Sequence, residues 1–325
     1  MFGEILCITE IFLDYDVISD FFWLVPCIPR DYTILFVPEP NFQRNFTPMS
    51  SPPRPTAKIL EIRPFAVAKP PPALDAWHLE CLPMLEDNFG YLLTSPAGKT
   101  LVVDAPEAAP LLAAASRAGR ALTELWITHG HRDHTAGIAE LARRTGCTVR
   151  AHADLKIPGA VPLPDEGTVA FEGELFTILN TSGHSELDLS FHAPGLGLCF
   201  CGDTLFTGGC GRLFAGPPER MWASLLRLRA LPDDTYLCCG HDYAHDNFTF
   251  ATRTFPAIDI FRDRLHEVET ARRQGDFLMP TSVGMETRSN PMLMADHAHL
   301  ATALGLDGKP AAEVFAKIRE MRNRL

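Results

Sequence analysis

Four potential metal ligands, His129, His131, Asp133 and His134, fall within six positions, directly after an apolar stretch from Leu122 to Ile127 that reads as a buried strand. Neutral imidazole and carboxylate suit zinc, iron or manganese. A strand end followed by a tight loop lets His129 and His131 turn toward one ion while Asp133 and His134 turn toward another. The competing reading is a solvated loop on which some of the 12 histidines fall together by chance. Ligands supplied from elsewhere in the chain decide between the two. Three later segments each close an apolar run with one ligand-type residue beside glycine: Asn180 to His184, Cys199 to Asp203 and Leu237 to His241. A small residue at a strand end lets the backbone turn closely around an ion, and loops carried on a rigid scaffold are where functional side chains concentrate. With His184, Asp203 and His241 added, seven ligands are available. Two ions with three ligands each and one bridging carboxylate need that number, and they leave a position open for water.

Two ions about 3.5–4 Å apart lower the pKa of a bridging water, hold it as hydroxide and polarise a substrate carbonyl, which is metal-assisted hydrolysis. A thioester suits this chemistry. Its leaving thiolate has an ordinary pKa of about 8.5, far below that of an amine, so departure needs no strong general acid. The sequence contains no Gly-x-Ser-x-Gly nucleophile elbow of the Ser-His-Asp hydrolases.

The motif His129-x-His131-x-Asp133-His134, followed in order by His184, Asp203 and His241, resembles the metallo-β-lactamase superfamily. Gly202 to Arg212, Gly240-His241-Asp242-Tyr243 with Asn247, and the tail from Glu286 through Asn290-Pro291 to Phe315–Arg319 are similar to the glyoxalase II, or hydroxyacylglutathione hydrolase, family. Asp87 to Leu92 and Val102-Val103-Asp104 fit the opening strands of that family, and the similarity runs from Trp77 to Leu325. The resemblance implies an α/β fold, a four-layer αβ/βα sandwich followed by a small all-helical domain. It implies that His129, His131 and His184 hold one divalent metal, that Asp133, His134 and His241 hold the other, and that Asp203 bridges them. Zinc is the expected metal, with iron and manganese admitted by the same ligands. Asp133 and Asp203 are the expected catalytic carboxylates, and Arg212, Phe214, Tyr243, Arg319 and Arg322 the positions that would bind glutathione. Arginine forks match carboxylates, although Arg319 and Arg322 also read as the basic last turn of a helix.

Two positions depart from the family pattern. Phe214 stands where tyrosine is common, which removes one hydroxyl hydrogen bond worth about 1 kcal/mol. After His184 the chain has Glu186-Leu187-Asp188 in place of a Gly-His pair. The outer partners of a metal ligand tune its affinity, and Asp188 is expected to be an exposed side chain rather than such a partner.

Composition fits a soluble globular enzyme, 46% hydrophobic and 21% charged. A net charge of −11 is a poor match to nucleic acid. Nine cysteines without a Cys-x-x-Cys pair point to reduced thiols. Cys199, Cys201, Cys238 and Cys239 read as buried packing residues. Residues 1–75 read as a poorly ordered N-terminal extension, rich in phenylalanine over the first 48 residues and then proline-rich, or as a mis-assigned start with translation beginning at Met49. Acidic residues interrupt its apolar stretches, and the uncharged run from Phe21 to Pro29 is nine residues long, against the ~20 needed to span a bilayer. A cytoplasmic monomer acting on a small-molecule glutathione thioester, with neither nucleic acid nor membrane as partner, is expected.

The remaining organisation is a catalytic domain over 76–241 and a helical substrate-binding domain over 242–325. Strands are predicted at Lys99–Val103, Thr148–His152 and Gly197–Phe200. Helices are predicted at Ala109–Ala121, Thr135–Arg144 and Glu219–Ala230, with Gly146 as a left-handed cap, and then at 257–274, 291–304 and 310–325. The leading functional reading is a binuclear thioesterase that releases glutathione and D-lactate from S-D-lactoylglutathione, completing methylglyoxal detoxification. A mononuclear-iron glutathione persulfide dioxygenase of the same fold is the alternative, and a non-catalytic metal-binding protein the third.

Overall fold

The computed structural model describes residues 58–59 and 76–324. The extension expected over residues 1–75, with its possible start at Met49, otherwise lies outside the described residues. One sheet runs in spatial order through β1 (Lys58–Ile59), β2 (His78–Met84), β3 (Asn88–Thr94), β4 (Lys99–Val103), β5 (Ala121–Trp126), β6 (Thr148–His152) and β7 (Val161–Leu163). The pairs up to β4 are antiparallel, and β4 to β7 are parallel. The facing sheet is built from β8 (Gly167–Phe171), β9 (Glu174–Asn180), β10 (Leu189–Ala193), β11 (Leu198–Gly202), β14 (Tyr236–Cys239) and β15 (Thr281–Ser282). Between β11 and β14 the chain makes a separate hairpin, β12 (Leu205–Phe206) with β13 (Gly209–Cys210).

Successive side chains on a strand point to opposite faces, and the buried residues sort accordingly. Tyr91, Leu93, Leu101, Val103 and Trp126 pack inward against the second sheet. Leu92, Val102, Leu125 and Ile127 pack outward under α1 (Ala108–Arg117) and α3 (Ile138–Thr145). Trp126 meets Phe176 and Phe191 edge-on across the sandwich, with ring centroids 4.8 and 5.3 Å apart. Truncating so large a buried ring would cost roughly 3–5 kcal/mol. The far face of the second sheet is covered by α4 (Pro218–Arg229) and α9 (Ala311–Asn323), whose Trp222 and Phe315 stack at 5.9 Å. The order helix, sheet, sheet, helix is the four-layer arrangement expected. Among the described residues no helix is long and apolar enough to cross a membrane.

The predicted strands agree with the structure to within a residue or two, whereas the helices differ in instructive places. The first predicted helix stops at Arg117 because Gly119 turns the chain with φ 63° into β5. The second is split into a single turn, α2 (Arg132–Thr135), and α3, because the Gly137 amide is taken by the Ala105 carbonyl at 2.8 Å. Gly146 does close α3 in the left-handed conformation, φ 70°. Further on lie α5 (Ala244–Thr254), α6 (Asp259–Arg273), α7 (Val283–Ser289) and α8 (Ala298–Ala303). The helix expected over 291–304 begins only at Ala298: residues 291–296 are turns, held where Arg229 Nη1 donates to the Leu293 carbonyl at 2.6 Å.

Candidate metal centre

The four ligand-bearing segments converge at one end of the sandwich. The loop after β5 carries His129 and His131, α2 carries Asp133 and His134, and the segments after β9, β11 and β14 carry His184, Asp203 and His241. This end is stitched shut across the sheets: the Phe89 amide donates to the Gly240 carbonyl at 2.8 Å, and the Leu189 amide to the Thr128 carbonyl at 2.8 Å. All seven residues named from the sequence are brought together. In the first triad, His131 Nδ1 lies 3.1 Å from His129 Nε2 and 2.9 Å from His184 Nε2. In the second, His241 Nε2 lies 3.3 Å from both Asp133 Oδ2 and His134 Nε2. Asp203 stands between: Oδ2 is 3.4 Å from His184 Nε2 and 3.2 Å from His241 Nε2, and Oδ1 is 3.3 Å from His134 Nε2.

The donor set fits divalent cations. Arms of about 2.0–2.1 Å at tetrahedral angles set neighbouring ligand atoms roughly 3.3–3.4 Å apart, close to the spacings above. The outward ring nitrogens of four histidines already have partners. His134 Nδ1 donates to Asp104 Oδ2 at 2.7 Å, His241 Nδ1 to Asp87 Oδ1 at 2.8 Å, and His184 Nδ1 to the Arg212 carbonyl at 3.0 Å. Thr128 Oγ1 donates to Asp104 Oδ2 and so accepts from His129 Nδ1, at 3.0 Å. Carboxylates and carbonyls only accept, so these contacts fix the protons on Nδ1 and turn each Nε2 lone pair inward. Asp203 Oδ1 is buried and forms no well-aligned hydrogen bond among the described residues, although His134 Nε2 stands 3.3 Å away. Buried oxygens of this kind need a partner. The backbone makes room: a Cβ at Gly240 would collide with Asp203 Oδ1 and the His134 ring, and one at Gly211 with the Asp203 carbonyl and, at 2.8 Å, His184 Nδ1.

Electrostatics divide the triads. Burial pushes His129 and His184 below the ordinary histidine value, which leaves them neutral. Burial would lower His134 too, but the carboxylates of Asp203 and Asp104 outweigh it and raise that ring to about 10. His241 is raised even against burial by Asp133, Asp203 and Asp87. The His241 bond holds Asp133 well below the usual carboxylate range. Burial would raise Asp203, and the His134 and His241 rings override it to hold that carboxyl low as well. A cation and a proton compete for the same lone pairs.

The five residues expected to bind substrate are placed unequally. Arg212 and Phe214 are exposed on the rim, Phe214 65% exposed and edge-on to His131 and His184 at 5.8 and 5.4 Å. Tyr243 is half-buried and stacks on His241 at 4.9 Å. Arg319 is buried, its Nη1 donating to the Cys210 carbonyl at 2.8 Å, and Arg322 Nε donates to Asn247 Oδ1 at 3.1 Å. Burial first, and then the neighbouring Arg319, lower Arg322 below its ordinary value, with Arg212 contributing in the same sense. Asp188, expected to be exposed, is buried. Its carboxylate accepts from the Gly183 amide at 3.1 Å and from the Ser185 amide and hydroxyl at 2.6 Å each, so it braces the loop that carries His184. The expectation failed because polarity alone does not report exposure when local amides can satisfy the charge. Burial pushes Asp188 up to about 6.

Sequence reasoning did not assign site roles to Asp87, Asn88, Asp104 and Thr128. Asp104 accepts from the Thr128 amide, the Thr128 hydroxyl and His134 on a backbone with φ 58°. Its bonds occupy it behind the histidines. Asn88 Nδ2 donates to Asp133 Oδ2 at 3.2 Å. The one available signal was an acidic residue closing an apolar strand. Seven cysteines are free among the described residues, and Cys199, Cys201, Cys238 and Cys239 are buried, as packing residues should be.

Fold and site together define a metallo-β-lactamase-type protein, and the metallo-beta-lactamase superfamily pattern matches residues 89–241. The hydroxyacylglutathione hydrolase C-terminus pattern matches residues 242–325. A hydroxyacylglutathione hydrolase of Rhodopseudomonas palustris is 45% identical over 249 residues, 75% of this chain and 98% of that protein. Its counterpart from Ruegeria pomeroyi is 40% identical over 251 residues, 74% and 96% of the two chains. The chain belongs to the hydroxyacylglutathione hydrolase family. Among solved structures, ETHE1 from Myxococcus xanthus is similar, with a TM-score of 0.54, 25% identity and coverage of 74% of this chain and 89% of that one. The BLEG-1 B3 metallo-beta-lactamase shares the fold at 18% identity, with a TM-score of 0.53 and coverage of 66% and 99%.

Proposed function

We propose that the protein is a binuclear thioester hydrolase that cleaves S-(2-hydroxyacyl)glutathione, S-D-lactoylglutathione in particular, to glutathione and the free hydroxy acid, the closing step of methylglyoxal detoxification. The observation that carries this is the meeting of two ligand triads at a single carboxylate, Asp203, whose oxygens face both. The family relatives named hydroxyacylglutathione hydrolase support the choice of substrate. Two divalent cations, zinc foremost, held by His129, His131 and His184 and by Asp133, His134 and His241, with Asp203 shared, would supply a polarised thioester carbonyl and a water acidic enough to attack it near neutral pH.

The remaining work falls to the chain. Asp104, Asp87, Thr128 and the Arg212 carbonyl hold the imidazoles in the tautomer that presents Nε2. Asp133, with its side chain 42% exposed, is the ligand carboxylate that would accept a hydrogen bond from the attacking water and orient it. Arg212 and Arg322 offer guanidinium groups for the carboxylates of glutathione. Arg319, bonded to the Cys210 carbonyl, contributes charge from behind that segment. Phe214 and Tyr243 flank the two triads with aromatic surface. The leaving thiolate needs no dedicated acid, since an ordinary thiol has a pKa of about 8.5.

The test is thiol release from S-D-lactoylglutathione by metal-loaded protein, with metal-stripped protein as control. Release that disappears on stripping supports the reading. A fully metallated protein that releases no thiol, yet consumes oxygen with glutathione persulfide, would overturn it in favour of the dioxygenase.

A further inference from the structure

The tail motif Glu286 to Asn290-Pro291 and the buried Asn247 play no part in the chemistry above, yet they converge on the β12–β13 hairpin. Asn290 Nδ2 donates to the Phe206 carbonyl at 3.1 Å and to the Gly209 carbonyl at 3.0 Å. Asn247 Nδ2 donates to the Thr207 carbonyl at 3.0 Å. Glu286 Oε2 accepts from the Gly208 amide at 2.8 Å, and Arg319 takes the Cys210 carbonyl. Every residue from 206 to 210 therefore has a backbone group held by a side chain from α5, α7 with its C-cap, or α9. Glu286 and Asn290 are completely buried and joined to each other at 2.9 Å. Glu286 Oε1 takes the Thr281 hydroxyl at 2.7 Å.

The hairpin begins and ends on the candidate metal centre. Its first arm leaves Asp203. Its second returns through Gly211, whose amide bonds the Thr204 carbonyl at 3.4 Å, to Arg212, whose carbonyl orients the His184 ring. A hairpin of two-residue strands has little stability of its own, so the position of both ends depends on what grips the middle.

We propose that Glu286 and Asn290 are positioning residues that set the geometry of Asp203 and His184 through this hairpin, so that the helical region governs metal affinity as well as substrate contact. The proposal rests on the binuclear reading given above. Its test is cobalt(II) titration of metal-stripped full-length protein, followed by ligand-field absorption and chelator competition, with thermal melting alongside. Asn290→Ala and Glu286→Ala are expected to weaken cobalt binding about tenfold, the lower end of the loss from removing a group bonded directly to a metal ligand, since both act through the hairpin, and to alter the absorption spectrum. Glu286→Gln restores wild-type affinity, because a glutamine oxygen still accepts from Gly208 and Asn290 while its amide donates to the Thr281 hydroxyl. Leu300→Ala, a buried truncation in α8, lowers the melting temperature and leaves cobalt affinity unchanged. Should Glu286→Ala and Asn290→Ala not fold, Asn247→Ala, which takes from the hairpin only the bond to Thr207, carries the same expectation. Wild-type cobalt affinity and spectrum in the folded variants overturn the proposal, as does Leu300→Ala losing affinity in proportion to its stability. A wild-type protein that binds no cobalt overturns the binuclear reading, and the clamp with it.

Discussion

The two triads that meet at Asp203 contain similar ligands but differ in what stands behind them. His129 and His184 lean on a threonine hydroxyl and a backbone carbonyl, and the rings of the first triad are neutral where burial acts on them. His134 and His241 lean on the carboxylates of Asp104 and Asp87, beside a third carboxylate, Asp133, in the triad itself. At an effective dielectric of about 20, a carboxylate about 5 Å from a divalent cation is worth several kcal/mol. The second triad is thus the more strongly attractive of the two ligand sets. The rims differ as well, apolar Phe214 over the first and Tyr243 stacked on the second.

Asp203 is the point where the comparison collapses, since it serves both sides. Asp203→Ala is expected to lower kcat/KM for the thioester by on the order of 10³-fold or more, judged against the loss from single electrostatic groups in other active sites. Both metals should fall in elemental analysis. Retention of two tightly held metals would falsify its shared role. Separating the triads sharpens the contrast. His131→Ala should keep one tightly bound cobalt equivalent, and His241→Ala one weakly bound equivalent. The reverse order in competition titrations would mean that the outer carboxylates do not set affinity.

Outer partners give the next smaller effect. Asp104→Asn should weaken the tight equivalent about 10–100-fold, and Thr128→Val should weaken the other equivalent by less. Equal losses would leave the two outer shells equivalent. The pH response of metal-free protein follows from the same asymmetry. His134 is raised from 6.5 to about 10, so its proton stabilises the fold fully below pH 6.5, and that contribution is lost as the pH rises through about 10. Melting curves with a chelator present should therefore show wild type losing its advantage over Asp104→Asn across that window, and a constant difference would contradict the assignment. The smallest effect is at the rim. Phe214→Tyr should lower KM about fivefold with kcat unchanged, as one added neutral hydrogen bond of about 1 kcal/mol allows. Unchanged KM would place that ring outside the glutathione contact.

Much of this centre was legible in the sequence because its ligands are chemically distinctive and sit where apolar runs end beside glycine. The outer partners were not. A lone carboxylate after a strand, as at Asp104, has no spacing partner in sequence, and Thr128 looks like any polar residue at a strand end. Strand β4 showed its apolar run directly, and β6 its alternation of Val149 and Ala151 with polar residues. Helix α5 did not stand out, because it buries Ala244, Asn247, Phe248 and Phe250 together on a polar background. Residues 291–296 carry the apolar Met292, Leu293 and Met294 that invite a helix, and tertiary contacts of that segment, Arg229 among them, hold it as turns. The grip of Glu286 and Asn290 on a hairpin some eighty residues earlier is a tertiary fact that no local pattern encodes.

Gly211 and Gly240, which leave no room for a side chain against Asp203, divide the protein's future mutations into two classes. Any replacement at either position strikes the residue both triads share, so drift or laboratory selection cannot explore new chemistry there by small steps. Arg212 and Phe214 lie next to one of these closed positions and are exposed. Variation in substrate choice among descendants of this sequence should therefore accumulate on that rim, around a floor that stays the same.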